Sequence, residues 1–345
     1  MHAHQKWGLR ATGLLLSCIF MTPAFAALSP KEEANLARMK KAWKQAWKEA
    51  SNNPANKVRL TSPQDRTSGL QTAPDTCYQL TPFIFGSNRH QREVDHITAY
   101  NQDTGGIGLS GEVKLQEGFS LGGGAAYANG DFVTNPAIIR VKSDTTQIFG
   151  YGNYTNENLY STLSLSLAET HNRSRRNVST HMSAHGKYRT LGTVGKLIVG
   201  YMFNFPAVIL SPEALFQYAH FNQRAYTETG GGAANLSVAR NQSDTTRGGL
   251  GLRFIKTNFL PIVPEAHAFY LRDFHGPSQA NSTQISTGVI LPKSTTNNAK
   301  DTWNLGLSMK GYLSPNLYLL LAYDFYAKKK KYRENSGSLN LRWAF

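Results

Sequence analysis

Apolar and polar residues alternate with a period of two from Cys77 to the end of the chain. In residues 159–167, leucine occupies four of the five odd positions, and tyrosine, threonine and serine occupy the even ones. This alternation is typical of a strand with one apolar and one polar face. We predict twelve such strands of about ten residues or more, against roughly 5 to 6 in soluble proteins. They are residues 77–86, 105–115, 118–128, 145–155, 158–169, 188–203, 207–221, 244–256, 259–273, 301–311, 316–326 and 336–345.

The connections between these strands alternate in length. They are tight near residues 116, 156, 204, 257 and 314 and long at 87–104, 130–143, 170–187, 222–243, 274–300 and 327–335. Short turns at one end and long loops at the other are typical of an outer-membrane barrel, as are aromatic residues near strand ends. Those aromatic residues are Tyr127, Tyr154, Tyr201, Phe203 and Tyr326. We therefore predict an all-β protein, a twelve-stranded antiparallel transmembrane β-barrel over residues 77–345.

The first 26 residues have the features of a secretory signal peptide. Lys6 and Arg10 precede an apolar core, and residues 24–26 (AFA) form a small-x-small cleavage site. An uncleaved anchor and a lipoprotein modified at Cys18 are the alternatives. We expect a cleaved signal peptide over residues 1–26, and therefore an exported protein.

Residues 27–76 contain the one predicted helix, at 30–51, followed by a turn-rich linker. Apolar residues recur in it at spacings of three and four, and lysines occupy the other faces. A helix of about 22 residues is about 33 Å long, close to the hydrocarbon thickness of a bilayer. We expect this short N-terminal α-helix to plug the barrel; a helix on the membrane surface and a free periplasmic segment are the alternatives. The expected pore-helix residues are Leu36, Lys40, Trp43, Lys44 and Trp47.

The last strand carries its apolar residues on one face and ends with an aromatic residue. These residues are Leu339, Leu341, Trp343 and the terminal Phe345. The pattern resembles the C-terminal signal by which the barrel-assembly machinery recognises outer-membrane barrels. We therefore expect that machinery to be a partner of this chain.

Several short motifs, in order along about 270 residues, resemble the translocator β-domain of the autotransporter (type V secretion) family. They are Pro82-Phe83, Tyr100, residues 105–112 (GGIGLSGE), 121–127 (LGGGAAY), 151–154 (YGNY), 210–212 (LSP), Tyr218, 226–230 (YTETG), Gly251, Pro264 and Phe345. The resemblance implies a twelve-stranded barrel that threads a helix through its lumen and exports an N-terminal passenger. Residues 27–76 are then expected to be a minimal passenger or a pore plug.

Charged and polar residues on the polar faces of the strands are expected to line the pore. They are Glu112, Lys114, Glu213, Gln217, Arg253, Lys310 and Asp324. Such residues line an aqueous path or bind a plug, and the simpler interpretation is the ordinary polar lining that every such barrel needs. The mean hydropathy of −0.39 agrees with a barrel, because it averages lipid-facing and lumen-facing residues.

In a soluble protein, a net charge of +15 suggests binding to nucleic acid. In this chain the positive charge lies in the predicted outer loops and the N-terminal helix. Two clusters stand out, Arg173, Arg175 and Arg176 in one loop, and Lys328, Lys329, Lys330, Lys331 and Arg333 in the last. The expected partner is phosphate of outer-membrane lipid and lipopolysaccharide. The alternative is an adhesin or porin-like protein whose loops bind anionic host surface polymers. Nucleic acid is not expected.

No residues form a convincing catalytic or metal-binding motif. His181 and Ser183 have the residue types of a base and a nucleophile, but no orienting carboxylate lies close in sequence. The histidines lack metal-ligand spacing. Cleavage after residue 26 leaves Cys77 as a single cysteine, so no internal disulfide is expected. We expect no enzyme activity, no cofactor and no metal in an integral barrel of the outer membrane of a Gram-negative bacterium.

Overall fold

The computed structural model describes residues 78–93, 99–135, 138–257, 262–275, 283–284, 290–291, 300–314, 316–329 and 332–345. The predicted signal peptide and N-terminal helix, together with Cys77, lie outside these residues. In the described part of the chain, no helix is long and apolar enough to cross a membrane.

Long antiparallel strands make up almost all of the described chain, and neighbours in sequence are neighbours in the sheet. The twelve long strands are β1 (Tyr78–Gln91), β2 (Ala99–Gln116), β3 (Phe119–Asn135), β4 (Ile139–Asn156), β5 (Leu159–Asn177), β6 (Ser183–Tyr201), β7 (Val208–Gln223), β8 (Asn241–Lys256), β9 (Ile262–His275), β10 (Asp301–Ser314), β11 (Leu317–Lys328) and β12 (Tyr332–Ala344). A short segment, Phe203–Phe205, continues β6 along β7. The first strand pairs with the last from Gln79–Ala344 to Gln91–Tyr332. The sheet is thus closed, which confirms the predicted barrel.

The strands extend further toward the long connections, here called the loop end, than the alternation predicted. β5 runs to Asn177, eight residues past its predicted end, and β2 begins at Ala99, six residues before its predicted start. Apolar and polar residues alternate only where one face of a strand contacts lipid. The backbone hydrogen bonds between strands continue beyond that region, so the strands are longer than the alternation. The loop predicted at 170–187 is therefore reduced to 178–182.

This extension corrects the placement of the basic clusters. Arg173, Arg175 and Arg176 lie on β5 rather than in a loop. Lys328 is the last residue of β11, and Arg333 lies on β12. Lys329 follows β11, and Lys330 and Lys331 lie outside the described residues.

At the opposite end, here called the turn end, the connections between β2 and β3 and between β4 and β5 are two residues long, as tight as predicted, whereas β9 begins at Ile262 rather than at residue 259. Gly118, between β2 and β3, has a φ of +75°. A Cβ at this position would lie 2.1 Å from the carbonyl oxygen of Thr155 on β4. This turn therefore requires glycine, both for its backbone conformation and for its close approach to the next hairpin.

The two faces of the sheet have opposite chemistry. Leu165, Leu307 and Leu250 are 57%, 63% and 70% exposed on the outward face, whereas most inward positions are buried and polar. The outward apolar positions form a surface that we call the apolar belt. It includes Ile107, Leu109, Leu121, Ile148, Leu163, Leu165, Leu167, Leu191, Leu197, Phe216, Leu250, Leu252, Leu305 and Leu307. An apolar exterior around a polar interior is the arrangement that a lipid environment requires.

Aromatic side chains border the apolar belt. Tyr127, Tyr154, Tyr201 and Phe203 point outward, as expected. Tyr326 was assigned wrongly, because it alternates in phase with the inward Asp324 on β11.

Tyrosine hydroxyls mark the border of the belt toward the loop end. The hydroxyls of Tyr127, Tyr218 and Tyr270 donate to the carboxylates of Asp144, Asp244 and Asp301 at 3.3, 2.6 and 2.7 Å. Each pair joins neighbouring strands, where the apolar side chains give way to polar ones. An aromatic ring on the apolar side and a hydrogen-bonded hydroxyl on the polar side suit a membrane interface.

Inward aromatic rings lie along the wall of the barrel. A Cβ on Gly106 would meet the ring of Phe85 at 2.4 Å, and one on Gly108 would meet Phe83 at 2.2 Å. Glycine on β2 therefore makes room for rings from β1 to lie flat against the neighbouring backbone. Rings in this position occupy less of the cross-section than rings that point toward the barrel axis.

Candidate functional site: the barrel lumen

One arginine bridges two carboxylates on the inward face near the turn end. The Nε of Arg253 on β8 lies 2.9 Å from Oε1 of Glu213 on β7, and its Nη1 contacts Glu265 on β9. The Tyr160 hydroxyl also donates a hydrogen bond to the carboxylate of Glu213. The Arg253 side chain is 12% exposed and the two carboxylates are 0% and 2% exposed. This cluster therefore joins three adjacent strands through charges that have little access to solvent.

A second polar group lies on β9, β10 and β11. The carboxylate of Asp324 lies 3.0 Å from Nε2 of His267 and accepts a hydrogen bond from the Asn304 amide at 3.1 Å. Nearer the turn end, the ammonium of Lys310 lies 3.5 Å from the centre of the Tyr318 ring, within the range of a cation–π interaction. The inward wall thus carries charges of both signs at more than one level between the turn end and the loop end.

The barrel seam carries a buried ion pair toward the loop end. Arg89 on β1 lies 2.9 Å from Glu334 on β12, with side chains 0% and 1% exposed. The Tyr332 hydroxyl donates to Glu334 at 2.6 Å. The pair links the first strand to the last, so it contributes to barrel closure as well as to the lumen.

A further ion pair on β8, β9 and β11 lies at the same end. Asp273 accepts from Arg247 at 2.5 Å and from Lys328 at 2.8 Å. Lys328 was expected among surface cations, but its side chain is 1% exposed and points inward.

Part of the lumen wall at the loop end is covered by the connection between β7 and β8. This connection, residues 224–240, forms a two-residue hairpin and a short 3-10 turn. The ring of Tyr226 stacks on that of Tyr188 on β6 at 4.5 Å. A Cβ on Gly186 would lie 2.5 Å from the Tyr226 ring. The connection, which we call the infolded loop, is therefore packed against the inward side of the barrel.

An ion pair holds the infolded loop to β5. The guanidinium of Arg176 donates to Glu228 at 2.5 and 3.2 Å and to the carbonyl of Ala234 at 2.7 Å. Glu228 also accepts from the backbone N–H of Leu236 at 3.0 Å. The hydrogen bonds from Arg176 lower the pKa of the Glu228 carboxyl below its ordinary value, and partial desolvation opposes that shift. Arg176, expected on the surface, is thus an inward anchor.

Docking of the infolded loop should depend on pH. Because the pKa of Glu228 is lowered in the docked state, its stabilising effect is complete above the ordinary glutamate pKa of about 4.3 and is lost as the pH falls through the lowered value. Spin labels on β6 and the infolded loop, at positions 187 and 237, should give a narrow distance distribution at pH 7 that broadens at acid pH. The variant Glu228→Ala should give a broad distance distribution at both pH values.

The matched control is Glu169→Ala, since Glu169 is an exposed carboxylate that is ion-paired with Arg189 on the outside of the barrel. It should leave the distance distribution narrow at pH 7. Equal broadening in both variants would contradict the anchoring role of Glu228.

All seven residues that were expected to line the pore lie on the inward face of the strands. Glu112 is buried and accepts from Ser120 at 2.8 Å and from Tyr151 at 3.0 Å. Lys114 shares its face on β2. Gln217 is buried on β7, and the other four belong to the groups described above.

Other charged residues on the inward face were not predicted from the sequence. Arg89 and Glu334 lie in segments that were predicted as connections, and Asp273 is the last residue of the strand predicted at 259–273. Glu265 lies within a predicted strand, but both faces of β9 contain apolar residues, so alternation did not distinguish them. Continuing the period of two beyond the apolar segments is the signal that would have found the first three.

The sequence of the chain matches a family model described as the autotransporter beta-domain. That model matches residues 83–324, which is more than half of the chain. The chain belongs to the autotransporter beta-domain family. It is an integral barrel of the Gram-negative outer membrane.

Curated relatives of this autotransporter barrel include outer membrane protein A of Rickettsia rickettsii and of Rickettsia conorii. Each is 26% identical in an alignment of 249 positions that covers 67% of this chain. The match covers only 11% and 12% of the two relatives. The chain therefore corresponds to a small part of those proteins.

Solved autotransporter barrels have the same fold. The translocator domain of NalP from Neisseria meningitidis is 14% identical, with a TM-score of 0.66 over 91% of this chain and 98% of that one. The beta domain of the Bordetella autotransporter Brka is 19% identical, with a TM-score of 0.60 over 79% of this chain and 100% of that one. At these identities, the likeness concerns the fold.

The remaining predicted site residues of this autotransporter fall into three groups. Leu339, Leu341, Trp343 and Phe345 share the outward face of β12 and its end, and the Phe345 ring stacks on Tyr78 at 6.3 Å. Arg173, Arg175 and Arg333 point outward. The expected pore-helix residues lie outside the described part. Within that part, no group of three or more His, Cys, Asp or Glu side chains is placed to hold a metal ion.

Proposed function

We propose that this autotransporter barrel forms a pore that its own N-terminal segment, residues 27–76, threads or plugs. The observation that supports the proposal is the charged inward wall, where carboxylates such as Glu213, Glu265 and Asp324 lie beside Arg253 and His267. A wall with this mixture of charges suits a charged polypeptide better than an apolar solute.

Residues 27–76 are themselves rich in charge, as a segment inside a charged lumen is expected to be. They contain nine lysines and arginines against five acidic residues. Lys40 and Lys44 are four residues apart, so they share a face in the predicted helix. A helix about 10 Å wide suits a twelve-stranded lumen, which is wider than the eight-stranded kind that side chains alone fill.

The name of one structural neighbour, the translocator domain of NalP, describes a barrel that transports. We extend that role to this chain as part of the proposal, with residues 27–76 as the segment that is transported or retained. The proposed role needs no catalytic group, and we propose that the barrel is not an enzyme.

Deletion of residues 27–60 tests the plug. We expect the deletion to raise the single-channel conductance of the purified protein in a planar bilayer, because it removes the proposed occupant of the lumen. The control is the full chain with Lys40→Glu and Lys44→Glu, which keeps the segment but reverses two charges. It should give a conductance that fluctuates between the closed and open levels. Unchanged conductance after the deletion would contradict the plug.

A tag at residue 40 tests where the segment lies. Protection from external protease in intact cells, combined with the conductance result, supports a threaded or plugged lumen. Surface access supports export of the segment. A tag at Met182, an exposed residue between β5 and β6, is the control for surface access.

Two of the eight cations on which the adhesin alternative rests do not face outward. Arg176 and Lys328 are ion-paired with Glu228 and Asp273 on the inward side. Arg173, Arg175 and Arg333 do face outward, so the alternative keeps part of its cations. The translocator role remains our conclusion because the charged inward wall supports it.

A further inference from the structure

Six cations gather on the outward face of β4, β5 and β6 toward the loop end. We call this set the cationic patch; it consists of Arg140, Lys142, Arg173, Arg175, Lys187 and Arg189. Only two of the six belong to the clusters that the sequence singled out. The others are brought beside them by strand register.

The register places cations directly opposite one another. Arg173 pairs with Lys142 on one side and with Lys187 on the other, forming a row of three across the sheet. Arg140 pairs with Arg175 in the next row. Directly opposed side chains in a sheet have Cβ atoms about 4.5–5.5 Å apart, and like charges at that distance destabilise the pairing. The arrangement is unfavourable unless an anion lies against it.

Carboxylates of the protein neutralise only part of the patch. Arg140 pairs with Asp131, Arg173 with Asp144, and Arg189 with Glu169. These pairs are exposed, with the arginine side chains 53% to 63% accessible. In the described part of the chain, no carboxylate lies within ion-pair distance of Lys142, Arg175 or Lys187. Three positive charges are therefore left for an external anion.

The patch adjoins the apolar belt. Leu191 on β6 is an outward member of the belt, and Arg189 is the next outward residue on the same strand. Two residues of a strand span about 7 Å. On the outward face of β5 the leucines end at Leu167, and Glu169 and His171 lie between Leu167 and Arg173. A lipid whose acyl chains cover Leu167 and Leu191 places its headgroup beside Arg189, at the near edge of the patch.

We propose that the cationic patch binds the phosphate groups of a phosphorylated lipid of the outer leaflet, with the acyl chains of the same lipid against the leucines of β5 and β6. Guanidinium groups bind phosphate through two parallel hydrogen bonds, and ammonium groups add point charge. The continuity of the patch with the apolar belt favours a lipid over a soluble polyanion. The site does not depend on what occupies the lumen.

The test uses the full-length protein, folded in detergent micelles, and the triple variant Lys142→Gln, Arg173→Gln and Lys187→Gln. Diphosphorylated lipid A is titrated in, and the thermal unfolding midpoint is followed by circular dichroism. We expect the midpoint to rise with this lipid and the apparent affinity to fall at least tenfold in the variant. Lipid A without phosphates should bind the two proteins equally weakly.

The matched control is Arg92→Gln, Arg272→Gln and Arg333→Gln, which changes the net charge by the same amount at exposed positions away from β4, β5 and β6. It should bind lipid A as the unchanged protein does. Lys187→Gln alone, which leaves every ion pair of the patch intact, should weaken binding in the same direction if the triple variant does not fold.

Three results would overturn the proposal. The first is unchanged affinity in folded patch variants, and the second is an equal loss in the control variant. The third is a patch-dependent response to heparin or inorganic phosphate without a response to lipid A, which assigns the patch to soluble anions.

Discussion

Replacement of Arg253 by methionine is expected to lower the free energy of unfolding of the barrel by about 3–5 kcal/mol. Methionine keeps much of the length of the side chain but removes the guanidinium between Glu213 and Glu265. These two carboxylates are 0% and 2% exposed, so water does not easily take the place of the lost cation. The measurement is equilibrium unfolding in urea of the barrel in lipid vesicles.

Two further variants separate the loss of charge balance from the loss of packing. The triple variant Arg253→Met, Glu213→Gln and Glu265→Gln removes all three charges and should recover much of the stability. Arg272→Met removes a 55% exposed arginine from β9 and should change the free energy of unfolding by less than about 1 kcal/mol. A similar small change in Arg253→Met would show that the cluster is hydrated in the native barrel.

Replacement of Leu165 by arginine is expected to destabilise the barrel by about 2–4 kcal/mol in a lipid bilayer. Leu165 is 57% exposed and lies in the middle of the apolar belt on β5. An exposed leucine in a soluble protein accepts this change at little cost. The measurement is the same urea unfolding in vesicles, and the cost should shrink in small detergent micelles that water penetrates.

The matched control is Met182→Arg. Met182 is 42% exposed and lies between β5 and β6, beyond the strands, so its replacement should be nearly neutral. Equal effects at the two positions would contradict the assignment of the apolar belt to the bilayer core.

Alternation was sufficient to predict which side chains face inward wherever lipid-facing residues are apolar. Glu112, Glu213 and Lys310 were placed correctly for that reason. Alternation does not reveal a strand where both faces carry polar residues, as at Arg173 and Arg176 on β5. There the strand continues because its backbone hydrogen bonds continue, and these bonds do not require an apolar side chain at any position.

The infolded loop illustrates a second limit. Its sequence is rich in glycine and small polar residues and has no periodicity, so it was interpreted as one long loop. In the structure, Glu228 meets Arg176 across 52 residues of sequence. A contact at that separation depends on the register of β5, β6 and β7, and local sequence contains no information about it.

The sequence by itself determined the closed barrel, its twelve strands, the tight turns and the identity of most inward residues. A period of two follows from the geometry of an extended chain, whose successive side chains point to opposite faces. The boundary between lipid and water then makes one of those faces apolar. Only the tertiary structure decided which charges neutralise each other and which accumulate. Arg253 joins Glu213 and Glu265, and Arg89 joins Glu334, whereas Lys142, Arg173 and Lys187 are brought side by side. Register and closure bring distant strands to within about 5 Å of each other, and Coulomb energy depends on that distance rather than on separation along the chain.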